Sequence, residues 1–169
     1  MPSIIFLCGM PGSGKSTIAK KLAKQLLWKC LDLDIVIEEN SGQSPKKWIR
    51  EKGEAAFRIA ESETLQSLIF SENTIVAVGG GTPCFNNNLQ WMQQNGVCIY
   101  LDIPLKALWT RVSKGIDKRP LLGSEIEALQ NLTELYEKRK PIYAQIDWKE
   151  AGLSLDIKLL AEKIRASFY

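Results

Sequence analysis

The sequence predicts an α/β domain of three layers, α/β/α, with helices on both faces of a mostly parallel sheet of about five strands. Three observations carry the prediction. Short runs that are apolar on consecutive residues recur at 4–8, 74–78 and 97–101, with a weaker run at 29–33. Such runs suit strands buried on both faces, unlike the alternation of a half-solvated sheet. Segments of helical periodicity separate them, which gives βαβ units and parallel pairing. Finally, a glycine-rich loop joins the first strand to the first helix.

That loop is Gly9-Met10-Pro11-Gly12-Ser13-Gly14-Lys15-Ser16, which fits G-x-x-x-x-G-K-[ST]. It opens a helix over residues 16–26 with Ile18, Leu22, Ala23 and Leu26 on its apolar face. The strand–loop–helix setting makes the fold P-loop NTPase-type and predicts a bound nucleoside triphosphate. Glycines let the backbone wrap phosphate oxygens and turn its N–H groups inward. Lys15 can reach the β- and γ-phosphates as a point charge, Ser16 can offer its hydroxyl to Mg²⁺, and the helix N-terminus favours the anion.

The strand at 29–33 ends in Asp32-Leu33-Asp34, two carboxylates at i and i+2 that share a face while the strand persists. One of them near Ser16 could hold Mg²⁺ through waters, and the other could accept or orient the proton of an attacking hydroxyl. Asp34 could equally cap the short helix over 35–39. A long helix follows at 53–70, where Glu54, Arg58 and Glu61 fall on one face and Phe57, Ala60 and Leu68 mark the buried one. By themselves these charges read as a solvated ion-pair ladder. The third strand ends in Gly79-Gly80-Gly81, which supplies no packing and suits close approach of a small ligand to the backbone. Helices are expected at 86–95, 105–112, 125–139 and 155–168, with a poor edge strand near 146–151 that carries Asp147, Lys149 and Glu150. Residues 114–123, bounded by Gly115 and Gly123, read as a mobile lid with Arg119 inside it. Because ligands of such sheets gather at the carboxyl ends of the strands, the phosphate loop, the two aspartates, the glycine run and Asp102 should meet on one rim.

At 169 residues the chain is expected to form one domain spanning 1–169, its lid at about 113–123. An apolar fraction of 45% and a charged fraction of 24% are ordinary for a globular protein. The net charge of +3 is small and its cations are dispersed among acids, so no nucleic-acid partner is expected. No apolar run approaches the roughly 18 residues that cross a bilayer. No membrane partner and a cytoplasmic location are therefore expected; the chain is also expected to be a monomer. The four cysteines are far apart, with no C-x-x-C pair, and read as small buried hydrophobes. The chain has no histidine, which excludes Ser-His-Asp and Cys-His catalysis and His-ligated metals.

Taken together, these pieces resemble the shikimate kinase family. That family's pattern is a phosphate loop, D-x-D, G-E-x-x-F-R-x-x-E, G-G-G, R-P-L-L and R-x-P-x-Y. All six occur here in order, at residues 9–16, 32–34, 53–61, 79–81, 119–122 and 139–143. The resemblance replaces the solvated-ladder reading of Arg58 with a functional one. It implies ATP on Gly12, Ser13, Gly14, Lys15, Ser16 and Thr17, with Mg²⁺ on Ser16 and, through water, Asp32. Arg111 would stack on the adenine and Arg119 would contact the phosphates from the lid. Shikimate would be held by Asp34, Arg58, Gly80 and Arg139, with Glu61 supporting Arg58 and Gly79 and Gly81 shaping the pocket. Lys15, Asp34 and Arg119 would be the catalytic residues, whether Asp34 takes the proton or only orients the hydroxyl. Two planar guanidiniums suit a carboxylated ring independently of the resemblance. Other small-molecule kinases of this sheet type, such as gluconate kinase, and a nucleotide-binding module without turnover are the alternatives. A GTPase is disfavoured by the lack of N-K-x-D.

Overall fold

The structure, a computed structural model, describes residues 2–114, 125–151 and 155–168. Five strands, β1 (Ile4–Cys8), β2 (Lys29–Asp32), β3 (Thr74–Ala77), β4 (Val97–Asp102) and β5 (Trp148–Ala151), form one sheet in the order β2-β3-β1-β4-β5. Every pairing is parallel. The central strand β1 is buried throughout, as its unbroken apolar run requires.

The helices are α1 (Lys15–Leu26), α2 (Leu33–Ser41), α3 (Pro45–Lys52), α4 (Glu54–Gln66), α5 (Asn88–Asn95), α6 (Leu105–Ser113), α7 (Glu125–Tyr143) and α8 (Ile157–Phe168), with a 3₁₀ turn at Thr82–Cys84. Strand alternation divides the core. Ile5, Leu7, Ile75, Ala77 and Ile99 pack against Ala19, Leu22 and Ala23 of α1 and Leu160, Ala161 and Ile164 of α8. Phe6, Val76, Cys98 and Tyr100 face the opposite layer, which includes Ile37, Phe57, Leu65, Met92, Leu108 and Tyr143. Truncating a buried contact such as Leu22 to alanine costs about 2–5 kcal/mol at such sites.

Several boundaries differ from the sequence expectations. Helix α3 lies outside the sequence expectations, although Ser44 caps it by accepting from Lys47 N and Pro45 occupies its first turn. Helix α4 stops at Gln66, and Leu68 and Phe70 pack on the core from outside it. Helix α5 starts two residues late because Asn86 and Asn87 sit at φ 51 and 58. Helix α7 runs through Pro141 to Tyr143, whose burial offsets the lost backbone hydrogen bond. Asp156 caps α8 by accepting from Lys158 N and Leu159 N. The edge strand β5 tolerates Glu150 because Trp148 Nε1 and Lys163 Nζ both donate to its carboxylate at 2.8 and 2.9 Å. All four cysteines are free; Cys8 and Cys98 are buried, and Cys30 and Cys84 half-buried. No helix among the described residues is long and apolar enough to cross a membrane.

Candidate active site

The phosphate loop leaves β1 and turns into α1 through Gly14, which caps the helix in the left-handed region at φ 91 without any side-chain cap. A residue with a Cβ would be strained there, and the first N–H groups of α1 are left to an anion. Lys15 Nζ folds across the loop, donating to Gly9 O at 2.8 Å and Met10 O at 3.0 Å. Burial lowers the Lys15 pKa to about 8, against the opposing pull of nearby groups that include Asp34 and Asp32. Helix α6 braces the loop from outside. Arg111 Nη1 donates to Gly12 O at 3.2 Å and Ser13 O at 3.3 Å.

Two cavities flank the loop and share Gly12, Gly14 and Thr17. One, of about 400 Å³, lies between the loop, Lys21, Arg111, Glu150, Leu155 and Ile157. The other, of about 450 Å³, is walled by Lys15, Ser16, Asp32, Asp34, Gly79 and Gly80.

The D-x-D pair is not a strand pair. β2 ends at Asp32, which caps α2 by accepting from Asp34 N at 3.1 Å. The capping role considered for Asp34 therefore belongs to Asp32, and Asp34 stands in the first turn of α2 against the second cavity. Burial, and then the charges of Asp32 and Glu61, raise the Asp34 pKa to about 6, with Lys15 and Arg58 opposing. A carboxylate so poised is ionised at neutral pH yet a competent proton acceptor.

Beside that cavity lies a buried ion-pair cluster, so the solvated-ladder reading fails. Arg58 is 8% exposed and Glu61 wholly buried. Arg58 Nη1 donates to Glu61 Oε2 at 2.9 Å, while Nη2 and Nε donate to Glu54 Oε1 at 2.9 and 3.2 Å. Thr82 Oγ1 donates to the other Glu61 oxygen at 2.6 Å. The glycine run makes this proximity possible. A Cβ on Gly81 would lie 2.6 Å from Arg58 Cζ, one on Gly80 2.8 Å from Pro11, and one on Gly79 2.8 Å from Glu61 and 3.3 Å from Asp34. The sequence reads this run as room for a ligand; in the structure it makes room first for the protein's own charged groups and phosphate loop.

Arg139 comes to the same place from α7. It is 8% exposed, and its buried Nη1 has no hydrogen-bond partner among the described residues. Both guanidiniums act electrostatically on Cys84, and Arg139 also acts on Lys15. An orphaned buried guanidinium nitrogen is costly and points to an acceptor, with a carboxylate the natural match. One turn on, Tyr143 donates its hydroxyl to Gly80 O and stacks on Tyr100, ring centroids 4.8 Å apart. Arg119, and with it the expected lid beyond Lys114, lies outside the described residues. Sequence reasoning missed Thr82, Phe85 and Asn86 as supports of the cluster; only Tyr143 carried a signal, as the end of R-x-P-x-Y.

A family model for shikimate kinase matches residues 11–166. The shikimate kinase of Persephonella marina is 43% identical over 143 residues, which cover 85% of each chain. That of Chlorobium chlorochromatii is 40% identical over 152 residues, 86% of this chain and 80% of the relative. The solved shikimate kinase of Bacteroides thetaiotaomicron superposes with a TM-score of 0.87 at 30% identity, covering 98% of this chain and 97% of that one. The Acinetobacter baumannii shikimate kinase, solved in complex with shikimate, gives 0.85 at 29%, covering 99% and 93%. With the fold, the phosphate loop and the ion-pair cluster all in place, the chain belongs to the shikimate kinase family of ATP-dependent kinases.

Proposed function

We propose that this protein transfers the γ-phosphoryl group of ATP to the 3-hydroxyl of shikimate, giving shikimate 3-phosphate and ADP on the route to chorismate and the aromatic amino acids. The observation that carries the reading is a phosphate loop and Asp34 on one cavity, together with a buried Arg139 nitrogen that has no partner among the described residues. ATP would run from the Arg111 side over Gly12–Thr17, its γ-phosphoryl directed past Lys15 into the second cavity. Shikimate would set its carboxylate on Arg58 and Arg139 and its ring against Gly79 and Gly80. Its hydroxyl would then meet Asp34, which takes or orients the proton. Glu61 holds Arg58 in place, and Arg119 would come over the phosphates with residues 113–123 as a closing segment. Catalysis would rest on positioning and on charge neutralisation by Lys15 and Arg119.

Mg²⁺ fits the donor set. Ser16 and Asp32 border the same cavity, and among the described residues no group of three or more metal-binding side chains forms a closed cage. One hydroxyl and one carboxylate, with waters and phosphate oxygens, is the surrounding that this ion prefers. Bound there, it would supply charge neutralisation on the phosphates. The protein would act as a cytoplasmic monomer.

A coupled ADP-release assay offering shikimate, gluconate and AMP in turn tests the reading. Turnover with shikimate alone is expected. Turnover with gluconate instead, or none with any acceptor, would overturn it.

A further inference from the structure

Arg58 has five N–H groups in one plane, and its two carboxylate partners take three of them. One N–H on each terminal nitrogen remains, so the usefulness of Arg58 to an incoming carboxylate depends on how firmly the guanidinium plane is held. Hydrogen bonds fix its edges. Its faces need aromatic or apolar cover, since a guanidinium is weakly hydrated there. The Phe85 ring provides it, with Arg58 Cζ 4.6 Å from the ring centroid; the Phe57 centroid stands at 5.3 Å. Both lie within the range of a cation–π contact.

Core packing does not account for Phe85, which is 37% exposed. The backbone beyond it is instead arranged to keep it where it is. Asn86 and Asn87 follow in the left-handed region at φ 51 and 58, a conformation that asparagine bears better than other side chains but that still costs energy. Asn86 Nδ2 ties the segment to α4 by donating to Arg58 O and Ser62 Oγ, both at 3.0 Å. Asn88 Nδ2 ties it to the 3₁₀ turn through Thr82 O, also at 3.0 Å. The segment after the glycine run therefore grips both members of the buried pair, Thr82 on Glu61 and Phe85 on Arg58.

We propose that Phe85 is a positioning residue for substrate recognition: its ring, clasped onto α4 by Asn86, fixes the plane of Arg58 so that the two remaining N–H groups meet a carboxylate as a fork. The proposal rests on the shikimate reading for its kinetic consequence but not for its geometry.

Three variants separate ring, bulk and clasp. Phe85→Leu keeps apolar bulk and loses the π face, Phe85→Tyr keeps both, and Asn86→Ala loosens the clasp. Phe85→Leu is expected to raise the KM for shikimate three- to tenfold, with kcat and the KM for ATP within twofold. Asn86→Ala should do the same to a lesser degree, and Phe85→Tyr should match the parent. A Phe85→Leu KM within 1.5-fold of the parent would overturn the proposal. So would equal impairment of Phe85→Leu and Phe85→Tyr, or a parallel rise in the KM for ATP, which would signal damage to the fold. Exchange of the Arg58 guanidinium protons with water, followed by NMR, needs no turnover. Slow exchange in the parent and Phe85→Tyr with fast exchange in Phe85→Leu is expected, and equal exchange in all three would overturn the proposal. A parent that exchanges slowly but does not phosphorylate shikimate would refute the functional reading and leave the role of Phe85 standing.

Discussion

On the proposed nucleotide side of Lys15 the site is made by one stretch of eight residues, Gly9 to Ser16, at the start of α1, where no side chain caps the backbone N–H groups. On the proposed acceptor side it is assembled from α2, α4, the glycine run and α7, through side chains that must find one another across the fold. The two halves also manage charge differently. Lys15 donates to the neutral oxygens of Gly9, Met10 and Ser13, while Asp34 and Asp32 act on its charge through space. Arg58 is balanced by two carboxylates, one of them wholly buried, so each member of that cluster depends on the others. Contiguous backbone sites tolerate change around them. Assembled ion-pair sites fail when one partner goes, because the survivor is left charged and dry.

Glu61→Ala sharpens that contrast most. Losing the buried partner of Arg58 and Thr82 should destabilise the protein by about 3–5 kcal/mol in denaturant unfolding. Glu54→Ala removes a partner whose side chain is 56% exposed and should cost less than about 1 kcal/mol. Equal costs would mean that the cluster is not the integrated unit described here.

The proposed catalytic pair comes next. Lys15→Ala and Asp34→Asn should each lower kcat about 100-fold or more. The first should weaken ATP binding and spare shikimate, as followed by tryptophan fluorescence; the second should spare ATP. If either variant weakened both ligands alike, the two halves would not be separable.

Smaller effects are expected from the arginines. Arg58→Lys, which keeps a charge for Glu61 but loses the planar fork, and Arg139→Ala should each raise the KM for shikimate at least about tenfold, or 1.4 kcal/mol, with ATP nearly unchanged. Steady-state kinetics in both substrates decide it, and a matching loss for ATP would point to fold damage.

The mildest test is pH. With Asp34 at about 6 and Lys15 at about 8, kcat/KM should fall below pH 6 as Asp34 takes up a proton. It should fall again above pH 8 as Lys15 loses one. The same Asp34 shift carries a stability consequence. Its folded-state pKa stands above the ordinary 3.8, so the folded protein holds that proton more tightly, and stability is lost as pH rises through that window. Asp34→Asn should therefore raise the thermal midpoint at pH 8 by about 2–6 °C and by less at pH 5. A flat kcat/KM profile between pH 5 and 7 would remove Asp34 from the proton chemistry.

By itself the sequence determined the strand–helix alternation, the parallel sheet, the phosphate loop and the identity of the six motifs. Each is written in residues close together, as apolar runs on consecutive positions or as eight residues of one loop, so local pattern suffices. The tertiary structure decided the strand order, the continuation of α7 through Pro141 to bury Tyr143, and which aspartate caps α2. It also decided that Arg58 and Glu61 are buried rather than solvated, because the groups that shelter them, Thr82, Phe85 and Asn86, lie 21 to 28 positions along the chain. Helical spacing reports which side chains share a face; what covers that face depends on packing between distant segments, and there the charge balance of the acceptor site is set.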